Sequence, residues 1–410
     1  MTEDSPLTVL VHLNALELGG TQINAVDLAA QMRTEGITSI LVGSRDTIPD
    51  GPSLIEIAAA RDLEICLYDP APTILARAHQ MTAIANRHLV DLVHVYGSWG
   101  GGARPTYWGP SRFARLPWVQ TVYEMSVSTQ IFRHMPMIVG TGYQRDEQRA
   151  RPGRTILISP PVDLTENHPD AQVGRQFRTG QGIEDGPLLV IVSRLDTSMK
   201  TVPALAAIDS MRVLASAGAA LVIVGTGDNV AAIQRRAESV NADVGRSVIR
   251  LLGPAADPRP AYAAADIVLG MGGSAARALA FAKPLVVQGE AGWSSLFEPS
   301  SAETLARSSF WSPDAVPDAA ARLAAIITPL LADPERRMEL GRFGRAFAEE
   351  RFALESMARR LSHFYRSVQG EYTRRDWIAD LPFEGRMLGA KAARMTRHAL
   401  RLPPAAEVGV

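Results

Sequence analysis

Short β-branched runs alternate along this chain with Ala- and Leu-rich segments whose apolar residues recur at helical spacing. In the first half, Leu7–Leu13, Thr38–Val42, Leu89–Val95 and Trp118–Val122 read as strands, and Thr21–Glu35 as a helix between the first two. The second half repeats the rhythm. Leu188–Ser193, Ala220–Gly225, Val248–Leu252, Ile267–Gly270 and Pro284–Gln288 read as strands, with Val202–Ala217, Val230–Val240 and Ser274–Ala282 as helices. This order predicts an α/β protein with two Rossmann-like, doubly wound parallel sheets facing a central cleft. Ligands of such sheets bind beyond the carboxyl ends of the strands, so chemistry is expected in that cleft. Between the halves, Ser159–Pro187 is rich in Pro, Gly, Asp and Gln and loses apolar periodicity except around Phe177. It reads as the domain linker, set at residues 166–187.

Composition narrows the class. At 410 residues the chain exceeds what one hydrophobic core usually organises, so two domains are expected. With 46% hydrophobic and 21% charged residues it can bury ordinary cores. Lys+Arg 42 against Asp+Glu 43 gives a net charge of -1, without the basic excess that displaces phosphate counterions, so nucleic acid is not an expected partner. Cys66 is the single cysteine, and the start MTEDSPLTVLVHLN lacks a signal peptide's basic region and long apolar core, which implies a cytoplasmic protein. No apolar run reaches the roughly 20 residues of a spanning helix. The eight histidines form no H-x-x-x-H or H-E-x-x-H pair, so neither a metal nor a cofactor is expected.

Glycine turns and cations carry the candidate chemistry. Leu18-Gly19-Gly20-Thr21-Gln22 precedes a helix whose open N–H groups can hold an anion, or is a tight turn needing glycine only for its backbone angles. Gly225-Thr226-Gly227 and Gly270-Met271-Gly272-Gly273-Ser274 each follow a strand, and Ser274 is a candidate N-cap. Neither is a dinucleotide fingerprint, because Val230 stands at the third glycine position, and no Gly-Lys-Ser/Thr triplet makes a P-loop. Arg194 at a strand end and Lys200 in the loop after it can converge on one diphosphate, or be solvated surface cations.

These pieces, in this order, resemble the retaining GT-B glycosyltransferases of family 4, also called group 1, from about Val9 to Tyr365. The matching set is Gly19–Gln22, Asp91-Leu-Val-His94, Ser159-Pro-Pro-Val-Asp163, Ser193-Arg194-Leu195 with Lys200, Val224–Gly227, Leu252-Gly253, Tyr262-x-x-x-Asp266 and Ala280-x-x-Lys283-Pro284, then Arg351-Phe352 and Phe364-Tyr365. The resemblance implies an acceptor-side domain (1–165), a nucleotide-sugar domain (188–345), and a helix (346–370) returning to the first domain. It implies transfer of a hexosyl group from a nucleoside-diphosphate sugar to a hydroxyl acceptor, with the anomeric configuration kept and no metal. Arg194 and Lys200 would neutralise the diphosphate, and Lys200 stands one residue further from the arginine than in many relatives.

The departures matter as much. The family's two glutamates, seven residues apart, fall at Leu269 and Arg277 here. Losing a charged hydrogen bond to a ribose diol weakens binding by roughly 1.5–3 kcal/mol, about ten- to a hundredfold. Arg277 can turn to a phosphate but cannot accept a hydrogen bond; the bland reading is a solvent-side arginine. Glu290, in the loop Gly289–Ser295 that approaches the donor sugar in relatives, either supplies a carboxylate from a new direction or is an ordinary loop acid. In the first domain, His94 with Tyr96, before the flexible stretch Gly97–Gly102, and Tyr123 with Glu124 stand where relatives often carry histidines. A tyrosine with a pKa near 10 can bind a sugar but is a poor general base. His94 is either a ligand contact or a satisfied strand-end histidine, and Glu124 either orients an acceptor hydroxyl or makes a surface salt bridge.

Residues 371–410 lie outside the resemblance. Arg386, Lys391, Arg394, Arg397 and Arg401 come with no acid among them, while Met387, Leu388, Met395 and Leu402 recur at roughly helical spacing. Residues 386–402 thus read either as a basic helix resting peripherally on the inner face of the membrane or as one packed on the protein itself. Two other readings of the whole chain stand beside the transferase. One is a catalytically silent auxiliary subunit bound to a partner transferase, motivated by the absent glutamates; the other is a sugar-nucleotide epimerase, disfavoured by the sparse acids and bases in these loops.

Overall fold

The structure is a computed structural model that describes residues 6–97, 103–124, 126–183, 186–197, 199–255 and 257–399, with side chains through residue 389. The chain divides into two compact units. The first takes in the described residues of Met1–Gly140, Gln144–Ile158 and Ala358–Val410, and the second those of Thr141–Tyr143 and Ser159–Met357.

Seven described strands form the first sheet: β1 (Leu7–Leu13), β2 (Ile37–Ser44), β3 (Ile65–Tyr68), β4 (Leu92–Tyr96), β5 (Trp118–Val122), β6 (Met137–Val139) and β7 (Thr155–Leu157). Their order is β3-β2-β1-β4-β5-β6-β7, and every pairing is parallel. The near-continuous apolar runs of β1, β4 and β5 follow from burial on both faces, since helices cover a parallel sheet on each side.

The second sheet holds β8 (Leu188–Val192), β9 (Ala220–Val224), β10 (Ile249–Leu251), β11 (Ile267–Gly270), β12 (Leu285–Gln288) and β13 (Ser294–Leu296). Their order is β10-β9-β8-β11-β12-β13, with only β13 antiparallel among the described strands. Alternate residues feed two cores. Val190, Val222, Val268 and Val287 pack on one face with Leu279 and Phe281. Leu189, Ile191, Leu221, Ile223 and Leu269 pack on the other with Ile208, Met211 and Ile327.

The stretch read as a linker, 166–187, belongs to the second unit and carries a helix, Ala171–Gly180. The Asp170 carboxylate caps it by accepting from the Gln172 and Val173 amides at 2.9 Å. Val173 and Phe177, four residues apart, pack on the core, and Gly174 lies so close to Ala263 that a Cβ would fall 2.7 Å from its carbonyl oxygen. The chain therefore leaves the first unit after Ile158 rather than after residue 165. It returns along the helix Leu354–Ser367, whose Phe364 and Tyr365 are buried in the first unit.

The tail continues as the helix Arg374–Ala399. Its described part is packed against the first unit. Glu384 and Arg112 form a buried ion pair at 2.9 Å, Asp380 lies 2.8 Å from the His134 ring, and the Tyr372 hydroxyl donates to Asp380 beside the Tyr107 hydroxyl. The side chains of Lys391, Arg394, Met395 and Arg397, and all of Arg401 and Leu402, lie outside the described residues.

Candidate functional site

In each sheet the strand order reverses at one point, between β1 and β4 in the first and between β8 and β11 in the second. Loops leaving adjacent strands there diverge to opposite faces of the sheet and open a crevice beyond the carboxyl ends. Beyond β8 and β11, Ser193, Lys200, Gly270, Met271, Ser274 and Gln288 line a recess of about 20 Å³. That volume holds about one water, so a phosphate group or a sugar would sit at the mouth of the recess rather than inside it.

Lys200 begins the helix Thr201–Leu214 and is half-buried. Burial pushes its ammonium down to about 8, and the charge of Arg194 pushes the same way, against the opposing pull of Asp196 and Glu290. Gln288, which periodicity did not single out, is buried at the end of β12 and donates to the Pro203 carbonyl at 3.0 Å, holding that helix in place. Across the recess, Gly272 has φ 58° and ψ -130°, a conformation open essentially to glycine alone, and turns the chain into the helix Gly273–Ala280. Ser274 Oγ accepts from the Met271 amide and donates to the Met271 carbonyl. As the first residues of the helix, Gly273 and Ser274 have amides with no intrahelical acceptor.

Arg194 takes the surface arrangement of its two readings. Its side chain is 77% exposed, stands 3.5 Å from Asp196, and does not line the recess. Lys200 is thus the half-buried cation of the pair and Arg194 the exposed one. Gly225 and Gly227, in one of the glycine turns read as candidate chemistry, seat the Arg194 loop. A Cβ on Gly225 would fall 1.8 Å from the Ser193 carbonyl oxygen, and one on Gly227 2.5 Å from the Leu195 carbonyl. The Leu195 amide donates to Thr226 and the Ser193 amide to Val224. Gly225 also has φ 145°. Gly225→Ala is expected to cost about 1–3 kcal/mol in chemical denaturation, whereas an unchanged midpoint would mean the loop is not seated this way.

Glu290 is half-buried, held by the Trp311 indole N–H at 3.2 Å, and near enough to Lys200 to favour its charge. Leu269 is fully buried inside the second sheet. Arg277 is half-buried on the helix Gly273–Ala280, where its charge is felt by Tyr262 and Asp257.

In the first unit, Asn14, Gly97 and Glu124 follow β1, β4 and β5 at the switch point. Gly97 has φ 100°, and a Cβ there would fall 2.8 Å from Asn14 Nδ2 and 3.3 Å from Glu124 Oε1. Glu124 Oε2 is buried with no hydrogen-bond partner among the described residues. Gly19 and Gly20 open the helix Gly20–Gln31 with nothing within reach of an added Cβ, and Gln22 is half-buried on its first turn.

His94 takes the satisfied arrangement of its two readings. It is fully buried, with the Tyr365 hydroxyl 2.5 Å from Nδ1 and Thr121 Oγ1 2.7 Å from Nε2. Both ring nitrogens are used, and burial pushes its pKa down to about 3, so it is neutral and has no nitrogen free for a ligand. Tyr365 lies 271 positions away in sequence, which is why no local pattern revealed the pair. Tyr96 is buried against the same ring and Tyr123 is half-buried beside Tyr96; burial raises both phenols above their usual range. The Gly97–Gly102 stretch is described only at Gly97. Among the described residues no group of three or more His, Cys, Asp or Glu is placed to hold a metal ion.

Neither a family model nor a curated protein significantly matches the sequence. Solved structures do match the fold. A glycosyltransferase from Rickettsia africae superposes with a TM-score of 0.69 at 15% identity, covering 89% of this chain and 99% of that one. HepE from Anabaena, in complex with UDP and glucose, gives 0.68 at 16%, covering 88% and 100%. The fold is GT-B. A Listeria monocytogenes protein proposed to be a UDP-N-acetylglucosamine 2-epimerase also superposes, with a TM-score of 0.55 at 12% identity, covering 90% and 99%. The GT-B fold therefore leaves the activity to be argued from the site.

Proposed function

We propose that this chain is a glycosyltransferase that moves a hexosyl group from a nucleoside-diphosphate sugar to a hydroxyl acceptor with retention of configuration. The observation that carries the reading is Lys200, an ammonium half-buried at the switch point of the second sheet, beside the opening of a helix and under the repulsion of Arg194. Two cations that repel in a partly dry site are stabilised together when an anion of at least equal charge sits between them. A diphosphate meets that need, and the first amides of Gly273–Ala280 add donors and the positive end of the helix dipole.

In this reading the bond from the anomeric carbon to the diphosphate oxygen breaks and its electron pair stays on the phosphate. The acceptor oxygen bonds to the same face of that carbon, and its proton passes to the departing phosphate oxygen. Lys200 and the exposed Arg194 stabilise the charge that develops there, so the proposed route relies on side-chain cations for work a metal does elsewhere. Glu290, tethered by Trp311, is assigned to a hydroxyl of the transferred sugar. Acceptor binding is assigned to the first unit, where the unpartnered Glu124 oxygen accepts from an acceptor hydroxyl, with Tyr123 and the Gly19–Gln22 turn contributing polar contacts. His94 and Tyr96 act there as positioning residues.

A panel of nucleoside-diphosphate sugars and hydroxyl acceptors, read by mass spectrometry and by the anomeric coupling of the product, tests the proposal. A product keeping the donor's configuration is expected, with transfer reduced in Arg194→Ala; an inverted product or uniform silence would retire it. The second reading, an auxiliary subunit, is favoured by Leu269 and Arg277 at the positions of the absent carboxylates. Nucleotide binding without turnover, unrescued by Arg277→Glu, would select it. Conversion of a donor with no acceptor present would select an epimerase.

A further inference from the structure

The tail helix Arg374–Ala399 segregates its charges in a way that packing against the first unit does not require. All three acids of its described part are committed inward or to the cap. Asp376 accepts from the Thr373 amide and hydroxyl at 2.8 and 2.7 Å, Asp380 holds His134, and Glu384 is buried with Arg112. Arg374, Arg375 and Arg386 are exposed. Along the outward face Ile378 is 57%, Leu381 40% and Leu388 56% exposed. Beyond Glu384 the sequence has no further acid before Glu407.

The neighbouring surface continues the pattern. Trp377 carries the Arg112 guanidinium over its ring at 4.0 Å and that of Arg115 at 5.2 Å. Arg115 and Arg374 line a pocket of about 310 Å³ with Trp377 and Trp118. Phe113 is 52% exposed and lies against Trp108, which shares Arg112 with Trp377. A soluble surface usually intersperses both charge signs around isolated apolar side chains. Here an apolar strip lies beside arginines and the half-buried indoles of Trp377 and Trp108, and Glu371, the acid that also lines the pocket, is paired with Arg154 at 2.8 Å; this is the chemistry of the zone between lipid headgroups and acyl chains. No described helix is long and apolar enough to cross a bilayer, so the contact would be peripheral.

We propose that the outward face of the described part of the helix Arg374–Ala399, with Arg115 and Phe113 beside it, docks on an anionic lipid bilayer. Arginines at the border reach phosphate oxygens while Ile378, Leu381 and Leu388 enter the headgroup boundary. The buried Arg112–Glu384 pair fixes the helix to the first unit, so docking holds that unit at the surface. This inference stands on surface chemistry alone and does not depend on the transferase reading.

Flotation of the full chain with vesicles of phosphatidylcholine alone, or of equal parts phosphatidylcholine and phosphatidylglycerol, tests it. Binding is expected to the anionic vesicles only, and to weaken as salt rises. The triple variant Arg374→Gln, Arg375→Gln, Arg386→Gln should bind on the order of a hundredfold more weakly. The variant Ile378→Ser, Leu381→Ser, Leu388→Ser should also lose binding, and both should keep the wild-type thermal midpoint because every changed side chain is exposed. Equal binding to the two vesicle types, unchanged binding by either variant, or a vesicle-free dimer abolished by the serine variant would overturn the proposal.

Discussion

Replacing Lys200 with alanine is expected to lower glycosyl transfer by on the order of a hundred- to a thousandfold, the usual cost of removing one preorganised donor to developing charge. The variant leaves the fold intact, because Lys200 only begins the helix Thr201–Leu214, and Gln288 still holds that helix through Pro203. Its protonation gives a second, sharper readout. The Lys200 ammonium titrates at about 8 in the free protein, lowered first by burial and then by Arg194. A bound diphosphate favours the charged form, so donor binding takes up a proton above that pH. Affinity is therefore flat below about pH 8 and falls toward tenfold per pH unit above it. Lys200→Arg, with a guanidinium that stays charged, should remove the dependence. Donor affinity measured by calorimetry from neutral to alkaline pH decides the matter; a flat wild-type profile would place Lys200 away from the phosphate.

The first unit is expected to unfold on mild acidification, because it buries two neutral histidines. Burial lowers His94 to about 3 and His12 to about 4, both below the ordinary value of 6.5. In the unfolded chain each takes up a proton near pH 6.5, and in the folded chain neither does. Their contribution is complete above pH 6.5 and is lost as pH falls from there toward 4 and 3. Each group costs about 1.4 kcal/mol per pH unit inside that window. By pH 4.5 the two together remove on the order of 5 kcal/mol, comparable with the whole stability of a typical domain. Urea titrations at stepped pH should show that slope, and His12→Gln with His94→Gln should flatten it, at the cost of a lower plateau at neutral pH because His94 bonds Tyr365 and Thr121. A wild-type stability unchanged between pH 6.5 and 4.5 would contradict the burial of these rings.

What the sequence revealed follows how locally each feature is determined. β1, β8 and β9 are dense apolar runs buried on both faces, and period alone exposes them. β6 and β7 have three residues each, too few for any period, and exist because neighbouring strands offer them a paired edge. The helix Ala171–Gly180 was concealed because only Val173 and Phe177 face the core while the rest is polar or small; the Asp170 cap was its readable signal. Within the site, Lys200 was visible as a cation after a strand. Its burial was not, because Gly270, Met271 and Ser274, which share its recess, come from the end of β11 and the start of the next helix, some seventy positions later. Why Gly225 and Gly227 are glycines was not readable, because a close approach to a ligand and a close approach to the Ser193–Leu195 backbone make the same demand on residue type. Likewise, the basic count in the tail was plain, while the inward turn of Asp380 and Glu384 depends on His134 and Arg112 far upstream.

The half-buried ammonium after β8 and the helix opening after β11 are expected to share one diphosphate. A crystal structure of the protein with a bound nucleoside diphosphate tests it directly. Phosphate oxygens are expected within hydrogen-bond distance of Lys200 Nζ and of the Gly273 and Ser274 amides, with the Arg194 side chain drawn in from solvent. A diphosphate bound elsewhere, with Lys200 and those amides left to water, would contradict it.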